Sequence, residues 1–142
     1  MSQFTPFKHP YPADKKYSQK VAYFSMEFAI DQALKIYSGG LGYLAGSHMR
    51  SAFDLKQNVV GVGILWKYGY YDQVRNGNGE MDVLFLERHY NFLLDTGIEF
   101  KIQVNKHDIM VKAWYLPPHV LGSAPLFLLS TIHPENDYLA QT

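Results

Sequence analysis

The sequence predicts an α/β protein, and three observations carry that prediction. A short apolar and aromatic run, "KVAYFSMEF" (Lys20–Phe28), precedes the glycine cluster of "YSGGLGYLAGSHMRSAFDL" (Tyr37–Leu55). From Leu41 onward the apolar residues recur at helical spacing. "NVVGVGILW" (Asn58–Trp66) is then almost unbroken apolar sequence rich in valine, the pattern of a strand covered on both faces. Strand, glycine loop, helix and strand form a βαβ unit, and its two strands should run parallel.

Each element follows from local chemistry. Residues 1–19 form a polar, proline-punctuated lead-in. Val21, Tyr23 and Phe24 suit a strand. "AIDQALKIY" is ambiguous between a loop and a helical turn. In the helix that follows, Leu41, Leu44, Ala45, His48, Ala52 and Leu55 share one face, and Ser47, Arg50, Ser51 and Asp54 share another. "KYGYYDQVRNGNGEMDVLFLE" holds two β-like runs around Asn76-Gly77-Asn78-Gly79, a strong hairpin signal. "EFKIQVNKHDIMVKAWYL" repeats the plan, with a turn at Asn105–Asp108. "PLFLLST" is a third short run of the buried-strand type.

Composition narrows the function. The 142 residues carry a formal net charge of zero, so nothing favours electrostatic capture of nucleic acid or of an anionic membrane. No stretch reaches the ~18 apolar residues of a membrane span, and the N-terminus has no apolar run of the signal-peptide kind. With no cysteine, disulfides, thiolate zinc sites and a cysteine nucleophile are excluded. The six histidines are scattered and suggest no metal cluster. A cytoplasmic protein is expected. The 15% aromatic content favours a strand-rich core over a surface that stacks on flat ligands.

The glycine cluster allows two readings. Gly39, Gly40 and Gly42 would let the backbone approach a phosphate or hydroxyl-rich ligand at a helix N-terminus. Equally, they would permit a tight strand-to-helix turn and close helix packing. "GGLG" is neither the dinucleotide fingerprint nor a P-loop, since Tyr43 stands where a P-loop needs lysine.

These residues carry a resemblance. "YFSMEF", "IYSGGLGYLAG", "VGVG" and "YGYYDQ", in that order and spacing, resemble the N-terminal region of the α-glucan phosphorylases, the glycogen and maltodextrin phosphorylase family. The likeness is closest to the shorter bacterial and archaeal branch. It continues more weakly through "VKAWYL" and "PLFLLST", so it covers nearly everything from Val21 onward. It implies part of the N-terminal Rossmann-like domain of a two-domain GT-B glycosyltransferase, with inserted β-hairpins, over residues 20–142. It implies phosphorolysis, in which an α-1,4-glucan and inorganic phosphate give glucose 1-phosphate and a shortened glucan. The cofactor implied is pyridoxal phosphate, whose phosphate relays a proton. Its attachment lysine and the basic residues for inorganic phosphate belong to a second domain that this chain does not match.

By that resemblance Gly39 and Gly40 lie near the cofactor's phosphate group, and Leu41 and Glu27 line the cleft. No catalytic residue of this chain is implied. The chain is expected to be a piece of a longer enzyme, inactive alone, with a homo-oligomer open for the parent. Ser47 and Ala29 depart from residues usual in the family. On the residues alone, Glu27 would be a surface carboxylate, His48 a packed histidine and Lys67 a solvent lysine. Tyr68, Tyr70 and Tyr71 would pack on a strand, and Asp72 and Gln73 have no assigned role. Two alternatives stand beside this reading. One is a fragment of a nucleotide-sugar glycosyltransferase of the glycogen synthase type, which also has a "GGLG" loop. The other is a non-catalytic glucan-binding or interaction module, which should have a polar surface where a second domain would face it.

Overall fold

The parallel pair forms as the apolar runs require. The structure, a computed structural model, describes residues 7–141. Strand β1 (Val21–Phe24) leads into a fifteen-residue irregular excursion, then helix α1 (Gly40–Asp54) and strand β2 (Val59–Ile64). β1 and β2 pair in parallel, with Val21 opposite Val59 and Phe24 opposite Val62. A small antiparallel sheet follows, made of β3 (Asp72–Arg75) and β4 (Met81–Leu84). Strands β5 (Leu94–Val104) and β6 (His107–Leu116), the short helix α2 (Pro118–Leu121), strand β7 (Leu126–Ser130) and the terminal turn α3 (Tyr138–Gln141) complete the order.

The main sheet runs β1-β2-β7-β6-β5. β7 is parallel to β2, whereas β6 is antiparallel to both β7 and β5. The second hairpin therefore widens the main sheet and is not an insertion outside it. Among the described residues, only the β3–β4 hairpin stands apart from it. Turn chemistry sets both registers. Asn76 Oδ1 accepts the N–H groups of Asn78 and Glu80, with Gly79 at positive φ. Asn105 and Lys106 both take positive φ, which matches the twist of the strands they join.

The lead-in is tied down where it is described. A 3-10 turn spans Lys15–Tyr17, Asp14 N donates to Lys56 O at 3.0 Å, and Tyr11 Oη donates to Gln57 O at 3.1 Å. Residues 1–6 of the expected lead-in lie outside the described residues.

The packed face of α1 differs from the one the helical spacing predicts. Gly42, Ala45, Gly46, Met49 and Ala52 are buried, while Leu41, Leu44, His48 and Leu55 are exposed. The reason is close packing of backbone on backbone. Ala29 N donates to Gly42 O at 2.9 Å, and a Cβ at Gly46 would overlap the Ala29 carbonyl. Large side chains on that face would hold the excursion away. The excursion itself supplies Phe28, Ile30, Leu34 and Ile36, all essentially fully buried, so the segment left ambiguous by its sequence is the centre of the core.

Candidate functional site

The chain leaves β1 through a local turn. Ser25 Oγ accepts the N–H of Glu27 and donates to its carbonyl oxygen. This aims the Glu27 side chain back beneath the glycine loop. Glu27 Oε1 accepts the Tyr70 hydroxyl at 2.5 Å, and Oε2 accepts the Ser38 N–H at 3.2 Å. The Tyr70 hydrogen bond, followed by the peptide N–H groups of Ser38, Gly39 and Gly42, holds the Glu27 carboxyl below its ordinary pKa against the opposing effect of burial. Burial and this carboxylate push the Tyr70 phenol up.

The glycines of the cluster divide into two kinds. Gly39 is the N-cap of α1 and has no side chain to cap it. A Cβ at Gly39 or Gly40 would meet nothing within 4 Å. At Gly42 a Cβ would lie 2.5 Å from Tyr37 Cβ and 3.0 Å from Glu27 Oε2. The first two glycines face open space at the start of a fifteen-residue helix, and the third is packed. The first turn of such a helix presents peptide N–H groups without intrahelical partners and a partial positive charge.

Two pockets border this loop. Leu41 lines an apolar pocket of about 450 Å³ with Phe24, Met26, Ile64 and Leu129. It lies at the carboxyl ends of β1, β2 and β7, where open α/β sheets bind ligands. Ser38, Tyr37, Lys35, Tyr70 and Asp72 line a more polar one of about 530 Å³. Among the described residues no group of three or more histidines and acids gathers to hold a metal ion.

The chain matches relatives over most of its length. A protein of Methanocaldococcus jannaschii, named only as uncharacterized, is 50% identical over 121 residues, which is 85% of this chain and 23% of that protein. Maltodextrin phosphorylase of Thermococcus litoralis is 36% identical over 140 residues, 93% of this chain and 16% of that protein. Glycogen phosphorylase of Aquifex aeolicus is 37% identical over 128 residues, 84% of this chain and 18% of that protein. This chain is related to the glycogen and maltodextrin phosphorylases. It spans less than a quarter of each of these relatives. No family model matches it.

Within this phosphorylase-related segment, the structure brings Gly39, Gly40, Leu41 and Glu27 together around one helix start. His48 is exposed, with its ring 4.8 Å from that of Tyr23. Lys67 Nζ lies over the Tyr68 ring, 5.6 Å from its centroid. The expectation of strand packing for the tyrosines fails. Tyr68, Tyr70 and Tyr71 precede β3, Tyr70 turns to Glu27, and Tyr71 is exposed beside Phe85. Asp72 acquires partners that its sequence context did not reveal, accepting Arg88 Nη2 at 2.5 Å with Lys35 Nζ at 3.9 Å. The partnership of Tyr70 with Glu27 was also missed. It spans 43 residues, and no local pattern signals it.

Proposed function

We propose that this chain forms the glycine-loop wall of the active-site cleft in an α-1,4-glucan phosphorylase, as part of the N-terminal Rossmann-like domain of a GT-B enzyme. The observation that carries this is the open pair Gly39–Gly40 at the start of α1, where a Cβ at either position would meet no atom within 4 Å apart from the adjoining chain. A loop stripped of side chains lets peptide N–H groups approach an anion closely, and the helix start adds partial positive charge. Such donors, fixed before the reaction, favour a step that builds charge near phosphate and an oxocarbenium-like sugar. The phosphorylase names of the relatives support glucan and phosphate as substrates.

Gly39 and Gly40 fit a phosphate-bearing cofactor on the same ground, since the space a Cβ would fill is open. Bound pyridoxal phosphate would supply a phosphate that passes a proton. This chain would contribute backbone donors toward it and Leu41 to the neighbouring cleft surface. The exposed apolar side chains beside the loop support a parent enzyme over a free-standing module. Phe24 is 74% exposed, Met26 59%, Leu44 66% and Leu41 52%, a patch that a dedicated module would have made polar. The cytoplasm, with its glucan and phosphate, is the proposed location.

The test is phosphorolysis by a full-length protein carrying this segment, given maltodextrin and inorganic phosphate, with release of glucose 1-phosphate as the readout. Release is expected, and Gly40→Val should reduce it by roughly a hundredfold through loss of the close approach. No release, or normal turnover in Gly40→Val, overturns the placement of the loop. The 142-residue chain alone should release none, with or without added cofactor.

A further inference from the structure

The segment "GYYDQ" before and into β3 grips the excursion that carries the glycine loop. Its Tyr70 Oη holds Glu27 at the start of that excursion, and Tyr70 N donates to Lys35 O at 3.4 Å in its middle. Through Glu27 Oε2 the same grip reaches Ser38 at its end. Gly69, at φ 61°, allows this approach, since a Cβ there would lie 2.5 Å from Lys35 O. Asp72 closes the contact by facing both Lys35 and Arg88. Meanwhile α1 begins at a glycine that cannot cap it. The Glu27 carboxylate supplies the negative charge that a capping side chain would otherwise bring.

We infer that Tyr70 is a positioning residue for the glycine loop. Its hydroxyl locks the Glu27 carboxylate against the Ser38 peptide N–H and beside Gly42, and so leaves the N–H groups of Gly40 and Leu41 directed to an external anion. Glu27 thereby serves as a cap brought from outside the helix, and its carboxylate is not a substrate ligand. The ligand half of this inference rests on the phosphorylase reading above; the clasp itself does not.

Amide NMR of the 142-residue chain with Tyr70→Phe and Glu27→Gln tests the clasp. Tyr70→Phe keeps the ring and removes only the donor. In the unmodified chain the amides of Ser38, Gly39 and Gly42 should follow one common titration, below the ordinary carboxylate range. Tyr70→Phe should shift these amides and raise the titration midpoint, while amides of β6 and β7 stay in place and report an intact fold. Glu27→Gln should abolish the titration. If the three amides and their midpoint are unchanged in Tyr70→Phe, or the titration survives in Glu27→Gln, the inference is overturned.

A second readout separates the two claims. In a full-length protein carrying this segment, Tyr70→Phe should lower kcat by roughly ten- to a hundredfold, with KM for glucan little changed, as expected for misplaced donors. Moved amides with undiminished phosphorolysis would leave the clasp standing and overturn the phosphorylase role of the loop. Diminished phosphorolysis with unmoved amides would overturn the clasp.

Discussion

Gly39–Gly40 and Gly42–Gly46 lie within one turn or two of each other, yet they are glycine for opposite reasons. A Cβ at either of the first pair meets open space. A Cβ at either of the second meets Tyr37 and Glu27, or the backbone of Ala29. The packed pair lets the excursion lie against α1, and that contact buries Phe28 and Ile30. The open pair has room for a side chain that packing does not fill. A glycine cluster is therefore not one signal: the packed members hold the excursion against the helix, and the open members leave the space that the proposed ligand would use.

The largest test of this division is Gly46→Ala. The added methyl would overlap a backbone carbonyl that cannot rotate away. We expect a loss of about 2–3 kcal/mol, despite the ~1 kcal/mol that alanine gains in helix propensity. A urea midpoint equal to or above that of the parent chain would show that the helix and excursion are not in close contact. Gly63→Ala in β2 is the next step down. Its Cβ would meet the Phe28 ring at 2.7 Å and Ser25 O at 3.1 Å. A ring edge yields more readily than backbone, so the expected loss is about 1–2 kcal/mol. A larger loss than in Gly46→Ala would reverse this ranking and assign the tighter constraint to the sheet side.

The same division explains what the sequence could and could not disclose. The β1-α1-β2 unit was legible because helical period and valine run are local patterns, and both hairpins were legible because Asn-Gly and Asn-Lys turns are. The packed face of α1 was not. Apolar periodicity weights large side chains, so it turned Leu41, Leu44 and Leu55 inward, whereas close packing selects the smallest residues on a helix. The excursion was opaque for a related reason: Phe28, Ile30, Leu34 and Ile36 are buried in irregular backbone that has no period to detect. The glycine loop, where the site is proposed, was legible in the sequence as a cluster ahead of a helix. Its support was not, because Tyr70 meets Glu27 only after the chain has folded.

Acid should weaken the support of the open half through the Glu27 carboxylate. Glu27 is held below its ordinary value first by the Tyr70 hydroxyl, Asp72 by Arg88 and Asp95 by Lys112. A depressed carboxylate binds fewer protons in the folded state than in the unfolded one. Its contribution is therefore complete above the ordinary carboxylate range and is lost as pH falls through the depressed value. The urea midpoint should be steady from neutrality to about pH 5 and fall below about pH 4. Glu27→Gln should flatten part of that fall. An unchanged acid profile in this variant would mean that the carboxylate stabilises the unfolded chain equally.

The smallest effect on stability is expected where the largest effect on turnover is proposed. Gly40 begins α1 without positive φ, and its Cβ position is open. Valine there adds no overlap, removes no hydrogen bond and narrows the unfolded ensemble, so the gain and the poorer propensity of a branched side chain nearly offset one another. Thermal and urea unfolding of Gly40→Val should stay within about 0.5 kcal/mol of the parent chain. A loss approaching that of Gly46→Ala would collapse the distinction, because the open pair would then be structural too. An unchanged midpoint leaves a glycine that folding does not require, and a ligand becomes the remaining physical reason for the space beside it.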